Sequence, residues 1–392
     1  MNDFTFSVPQ NIMVGRGSLA KLPEAAKQLG GSHAFIISGP HLTKMGLVGK
    51  VSDSLKAAGF AVDAFTETEG NPSTDTVEKA AAAYKASGAD FIVAFGGGSP
   101  MDVAKAVGVV AKYGGRIEEY EGAHKVPGKI VPLIAIPTTA GTGSEVTAFS
   151  VITDYSTGIK YPLADFEITP DVAVLDTDIP QTMPKTLTAH TGMDALTHAF
   201  EAYVAARSEF SDPLALQAIS SVFDNLIDSY HGDKEARGAM HIAQCLAGMA
   251  FSNALLGIAH SLAHKTGAIF HIPHGCCNAI LLPSVIQFNS RVCMSRYAQI
   301  ARALGLPGAT DKQLTDSLVE AVRAGYRPDL PGERRVRGRL QGPLPGHRPQ
   351  RGAGSLHSLQ SPSGQRRGDA RCPDLRVLRH RRHLLIAPPI SP

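Results

Sequence analysis

A chain of 392 residues, 43% apolar and 19% charged, has the length for two ordinary domains and the composition of a packed globular protein, which excludes a largely disordered one. No apolar run is long enough to span a bilayer, the N-terminus MNDFTFSVPQ has no secretory-signal pattern, and five cysteines without repeated spacing give no disulfide framework, so a cytoplasmic protein without a membrane span is expected. The net charge of +3 divides unevenly: residues 326–392 hold 14 Arg, no Lys and four acidic residues, leaving residues 1–325 at −7 with no nucleic-acid-binding face.

In chain order, HAFIIS (33–38) reads as a buried strand, and a helix from Leu47 to Ala58 stops at Gly59. FAVDAF (60–65) is a second strand, and Ser73 to Ser87 is an Ala-rich helix ended by Gly88. DFIVAF (90–95), a helix over 100–113 and LIAIP (133–137) continue the alternation, which predicts a parallel sheet with helices on both faces. From Pro184 to about Arg323 helical periodicity dominates, and the boundary is placed at Ile179–Pro180. The tail shows no apolar periodicity and is rich in Arg, Pro and Gly. A basic nucleic-acid-binding arm is one reading. A frame-shifted, disordered tail over 324–392 accounts better for the missing Lys, because codons for Gly352 to Ser363, read one base later, can spell ALAPCTASNPRP.

Two loops at strand ends suit a nucleotide. In FGGGSPMD, Gly96, Gly97 and Gly98 lie between strand and helix, with Ser99 expected at the N-cap, Pro100 at the first helical position and Asp102 closing the cap. Glycines admit a close ligand, and a helix start offers N–H groups to a pyrophosphate. The segment PTTAGTGSEVT (137–147) supplies the hydroxyls of Thr138, Thr139 and Thr142. Each loop alone also fits a plain capped turn.

Asp194 and His198 are four apart, as are His260 and His264, and His274 follows in a P-H-G turn. On helices that spacing stacks each pair on one face. One histidine alone is more often structural; the set together suits Fe²⁺ or Zn²⁺. Cys276 and Cys277 read as small buried residues rather than ligands. An ion with an open position would lower an alcohol's pKa, a nicotinamide would take the hydride, and a non-ligating histidine would relay the proton.

The segments GGGSPMDVAKA, IPTTAGTGSEVT, GMDALTHAFEAY and HSLAHKTGAIFHIPHG followed by NAILLP resemble the iron-containing (group III) alcohol dehydrogenases, over residues 4–323. That resemblance implies a dehydroquinate synthase-like fold: an α/β dinucleotide-binding domain (1–180) and an all-α metal-binding domain (181–323), with the active site between them. It implies Asp194, His198, His260 and His274 as ligands of Fe²⁺ (or Zn²⁺) and His264 as the proton-transfer residue. The cofactor would be held by Gly39, Asn71, Gly97, Gly98, Ser99, Thr138, Thr139, Thr142 and Lys160, with Phe251 near the substrate. A homo-oligomer, dimer or larger, acting on a small primary alcohol or diol and the matching aldehyde, is implied as well. NAD-preferring relatives carry Asp where this chain has Gly39. No carboxylate there repels a 2′-phosphate, so NADP is expected to be at least tolerated. Relatives also continue with helices and a CTxxNPRP-like segment, which places the frameshift near Ala324. Alternatives are a glycerol dehydrogenase or maleylacetate reductase of the same fold, a hydrolase with a lone metal ion, and a nucleotide-binding protein inactivated by its altered end.

Overall fold

The structure, a computed structural model, describes residues 4–206 and 208–325. β1 (Asn11–Gly15) and α1 (Leu22–Gln28) lead into β2 (His33–Ile37). Then come α2 (Pro40–Lys44), α3 (Leu47–Ala57), β3 (Ala61–Phe65), α4 (Thr74–Ser87), β4 (Phe91–Gly96) and α5 (Gly98–Tyr113). After β5 (Gly122–Ala123) follow β6 (Leu133–Pro137), β7 (Phe149–Asp154), β8 (Ile159–Ala164) and β9 (Val172–Asp176). The rest of the described chain is helical: α6 (Lys185–Val204), α7 (Ser211–His231), α8 (Lys234–Ala254), α9 (Ile258–Phe270), α10 (His274–Ala303) and α11 (Asp311–Gly325).

Six parallel strands form one sheet in the order β1-β9-β6-β4-β2-β3. Side chains alternate between its faces. Phe35, Ile37, Ile92 and Ala94 pack with α4 and α5, whereas Ala34, Ile36, Phe91 and Val93 pack with α1 and α3. Both faces of β2 and β4 are covered, which is why these two strands are apolar at nearly every position. After β2 the chain moves outward to β3, then returns to the other side of β2 as β4. The carboxyl ends of β2 and β4 therefore flank a topological switch point, where open α/β sheets bind ligands. Gly39 follows one of these strands, and Gly97 to Ser99 follow the other.

Local chemistry sets several ends. The Ser73 Oγ accepts from Thr76 N at the start of α4, and Gly88 closes it at φ 71°. Helix α5 departs from expectation. It begins at Gly98 with Gly97 as N-cap and no side-chain cap, so Ser99 and Pro100 lie inside its first turn. Asp102 does not close a cap. Its carboxylate accepts from Ser144 Oγ (3.0 Å) and Val151 N (3.1 Å), which leaves the first-turn N–H groups of α5 without a side-chain partner.

The helices bury a second core. Phe200, Tyr203, Ile219, Met240, Leu282 and Leu318 belong to it, and Phe200 faces Tyr297 with ring centroids 6.5 Å apart. Each such buried side chain stabilises by about 1.5–3 kcal/mol. The change from strands to helices falls between Asp176 and Lys185. Among the described residues no single helix is long and apolar enough to cross a membrane. The expected frame-shifted, disordered tail lies, from residue 326 onward, outside the described residues.

Candidate metal and cofactor site

One cleft joins the switch point to the helices. From the sheet side it is lined by Asn71, Gly98, Ser99, Thr142 and Lys160, and from the helices by Asp194, His198, Phe251, His260, His264 and His274. Gly39, Gly97, Thr138 and Thr139 do not line it. Gly97 packs against Thr139, where an added Cβ would lie 3.2 Å from Cγ2, and Thr138 N bonds Gly96 O at 2.8 Å. These two residues thus hold one loop against the other. A Cβ at Gly98 would come within 2.9 Å of Thr142 Cγ2, so the glycine permits the loops to stack at the mouth of α5. Lys160 Nζ donates to Asn71 Oδ1 (3.0 Å) across the cleft edge.

The anionic and imidazole groups come from three helices. The i, i+4, i+7 series in α6 sets Asp194, His198 and Glu201 on one buried face. His260 and His264 share a face of α9, and His274 opens α10. Ligand atoms of Asp194, His198 and His260 lie within 4.8 Å of one another. His274 Nε2 is 3.5 Å from Asp194 Oδ1, and His260 Nε2 is 3.8 Å from it. The amide nitrogen of Asn278 marks where these groups aim. It stands 2.7 Å from Asp194 Oδ1, 3.1 Å from His260 Nε2 and 3.3 Å from His274 Nε2. His198 lies between Phe251 and His260, stacked at 4.3 Å on each. His264 stacks on His274 at 4.9 Å.

Burial disfavours the charged form of His198, His260 and His264. It pushes His198 down to about 3, helped by His260 and His274 and opposed by Asp194. It holds His260 well below the ordinary histidine range, with His274 adding to the effect. His264 is lowered well by the same cause and by the neighbouring His274, His260, Lys160 and His198. Neutral imidazoles keep a lone pair for a cation. One carboxylate, buried neutral imidazoles and a shared focus fit a divalent ion of borderline character.

Three residues escaped the sequence reading. Glu201 Oε2 lies 2.6 Å from His260 Nδ1, and its Oε1 accepts from Ala259 N (2.6 Å). Asn278 is one turn beyond His274, a spacing that could have drawn notice. Lys105, 0% exposed, donates to Ser144 O (2.7 Å), Thr147 O (2.9 Å) and Phe149 O (2.8 Å) and to the Ser144 and Thr147 hydroxyls. Burial pushes it down to about 8, against the attraction of Asp102 and Glu145. It had no visible partner in sequence, because its acceptors lie about forty residues away. Cys276 and Cys277 are buried and do not line the cleft.

Comparison with known proteins decides the family. The model of the iron-containing alcohol dehydrogenases matches residues 9–177, and that of the C-terminal region of the Fe-containing alcohol dehydrogenase family matches residues 188–326. The chain belongs to the iron-containing alcohol dehydrogenase family. This family member is 53% identical over 323 residues to the NADPH-dependent butanol dehydrogenase of Clostridium saccharobutylicum, covering 81% of this chain and 82% of that one. It is 40% identical to the NAD-dependent methanol dehydrogenase of Bacillus methanolicus, over 76% of this chain and 80% of the relative. Among solved structures, a 1,3-propanediol oxidoreductase is 34% identical with a TM-score of 0.79, covering 88% of both chains. As a member of this family the protein is an NAD(P)-dependent alcohol dehydrogenase of small alcohols or diols and their aldehydes. It requires a metal ion and a nicotinamide cofactor.

Proposed function

We propose that Asp194, His198, His260 and His274 hold one Fe²⁺ or Zn²⁺ ion and that the dinucleotide lies along α5 and the 138–147 loop. The focus shared by Asp194, His260 and His274 in the same cleft as Gly98, Ser99 and Thr142 carries this reading. When bound, the ion supplies Lewis acidity at the substrate hydroxyl, and the nicotinamide supplies the hydride acceptor. The chain's own residues do the rest. Gly98 and Ser99 offer the first-turn N–H groups of α5 to a pyrophosphate. Asn71 and Lys160 hold the cofactor from the opposite edge, with Thr138 and Thr139 supporting Gly97. Phe251 presents an apolar wall beside His198 to the substrate carbon chain. His264, beside the ligand His274, passes the hydroxyl proton toward solvent. Anaerobic purification with metal analysis, then a panel of primary alcohols and diols with both cofactors, tests the assignment. One ion per chain, lost in Asp194→Ala, is expected; an Asp194→Ala protein that keeps its ion and activity refutes it.

NADP is at least tolerated as cofactor in this reading. Gly39 brings no carboxylate to the switch point, and the similar Clostridium enzyme is NADPH-dependent by name. Gly39→Asp should lower kcat/KM for NADP at least tenfold, about 1.4 kcal/mol, while NAD use persists. A Cβ at 39 would stand 3.0 Å from Thr68 O, so the side chain needs a small backbone shift. Strict NAD use by the unaltered enzyme counts against the cofactor assignment.

The domain division is read as 1–180 and 181–323, and the segment from 324 as frame-shifted. The family match ends at residue 326, where the composition turns to Arg without Lys. Resequencing the gene through the Ala324 codon tests this; an intact frame matching the present sequence defeats it. The family's assembly into dimers or larger is proposed for this chain too, with sedimentation of the purified enzyme as its check.

A further inference from the structure

Glu201 lies on α6 seven residues after Asp194, and its carboxylate crosses to the start of α9. It is 2% exposed, and its partner His260 is 1% exposed. Oε1 accepts from the backbone of Ala259 (2.6 Å). Oε2 lies 2.6 Å from His260 Nδ1 and accepts, at 3.4 Å, from the His260 backbone. Gly257 makes the crossing possible, since a Cβ there would stand 2.8 Å from Oε1. One carboxylate thus caps the helix that carries His260 and grips the ring of that same residue.

The two contacts have different chemical demands. A cap needs only an oxygen acceptor. The ring contact needs an acceptor at Nδ1, which fixes the proton there and leaves Nε2 bare. Nε2 is the nitrogen that looks toward Asp194, at 3.8 Å, and Asn278, at 3.1 Å. Which ring nitrogen can serve a cation is set by the hydrogen bond the other one makes.

Resting on the ligand assignment above, we propose that Glu201 is a positioning residue for the metal centre: it locks His260 in the Nδ1–H tautomer and aims Nε2 at the ion. Because it also ties α6 to α9, it sets the distance between Asp194 and His260, which sit on different helices.

Glu201→Gln separates this role from capping. The amide oxygen still accepts from Ala259 N. Its NH₂ group then faces His260 Nδ1 and favours the tautomer with the proton on Nε2, the wrong nitrogen for a ligand. Zinc-loaded wild type and Glu201→Gln are compared by chelator competition and thermal unfolding, and Asp194→Ala serves as the control for the site itself. Zinc affinity should fall ten- to a hundredfold in Glu201→Gln, while unfolding of the zinc-free proteins stays alike. Wild-type zinc affinity in Glu201→Gln, whatever its thermal stability, makes Glu201 a cap only and overturns the proposal. Wild-type protein that binds no zinc, or Asp194→Ala that binds it fully, refutes the ligand assignment and the proposal with it. A second measurement needs no folded variant. In zinc-loaded wild type carrying [15N]histidine, the His260 proton should couple to Nδ1, and a proton on Nε2 rules the proposal out.

Discussion

At the scale of single residues the cleft separates groups that aim at an ion from groups that hold them. His264 has the chemistry of a ligand but stacks on His274, and it is not among the groups, Asp194, His260 and His274, that converge on the Asn278 amide nitrogen. Replacing it should therefore spare the metal and slow the proton. His264→Gln is expected to keep one ion per chain and to lose about a hundredfold in kcat, with partial rescue by added imidazole. Loss of the ion in this variant assigns His264 to the coordination sphere instead. Lys105 is the opposite case, a charged group with no reach into the reaction. Its ammonium satisfies three carbonyls and two hydroxyls of residues 144–149, which carry Phe149 toward Phe251. Lys105→Met strands those acceptors in the interior. A loss of about 3–5 kcal/mol in unfolding free energy is expected, with a raised KM for the cofactor in any protein that remains folded. Urea unfolding and steady-state kinetics check both.

At the scale of elements, the 138–149 stretch joins the sheet to the helices. Gly143 N donates to Gln244 Oε1 (2.6 Å), Gln244 also reaches Glu145, and Ala148 N donates to Ser252 Oγ (2.9 Å). The backbones meet at Gly143 and Gly248. Gly143 has φ +62°, and a Cβ on it would fall 2.6 Å from Gly248 Cα. Gly143→Ala combines a left-handed backbone cost of about 1–2 kcal/mol with that collision. It should lower Tm by several degrees. Gly248→Ala meets the same contact from α8, where its Cβ would lie 2.9 Å from Gly143 Cα. Once one alanine has opened the contact the second should cost less, so the double variant is expected to be less destabilised than the two single effects together. Additive losses in thermal unfolding mean that the two glycines act separately. The elements were legible where period and punctuation agreed. Ser73 and Gly88 bracketed α4, and the apolar runs of β2, β4 and β6 stood out. β1 and β9 were not anticipated, although VAVLD is wholly buried, because their runs of three and four apolar residues are short and carry no period that distinguishes a strand. The start of α5 was misplaced because Asp102 looked like a local cap, whereas its partners Ser144 and Val151 come from a distant loop. The imidazoles were readable through their i, i+4 spacing. Glu201 and Asn278 reach His260 from other helices, a relation that spacing within one helix does not encode; only the i, i+4 spacing of His274 and Asn278 lay in the sequence.

At the scale of the whole molecule, the junction between sheet and helices is lined with buried histidines, and this makes its stability depend on pH. His241 on α8 is 0% exposed. Burial pushes it down from 6.5 to about 4, against the favourable influence of the Thr139 backbone and Asp176. In the unfolded chain the same imidazole takes a proton near its ordinary pKa. Between pH 6.5 and 4 the unfolded state therefore binds more protons than the native one, and stability falls as the medium is acidified. The contribution is fully present above pH 6.5 and is lost progressively as the pH drops toward 4. Each such histidine weakens the fold by about 1.4 kcal/mol per pH unit in that window. His198, held down to about 3, acts in the same direction. The ion should oppose the trend by occupying His198 and His260 in the native state alone. The metal-free enzyme is thus expected to lose unfolding free energy steeply from pH 6.5 to 5, and the metal-loaded enzyme to begin its loss at lower pH. His241→Leu, which removes one of the buried imidazoles without touching the ligands, should flatten the metal-free profile by about 1.4 kcal/mol per unit. Denaturant unfolding at half-unit steps of pH measures the slopes directly. Parallel profiles for wild type and His241→Leu would mean that His241 takes its proton in the native fold as readily as in the unfolded chain.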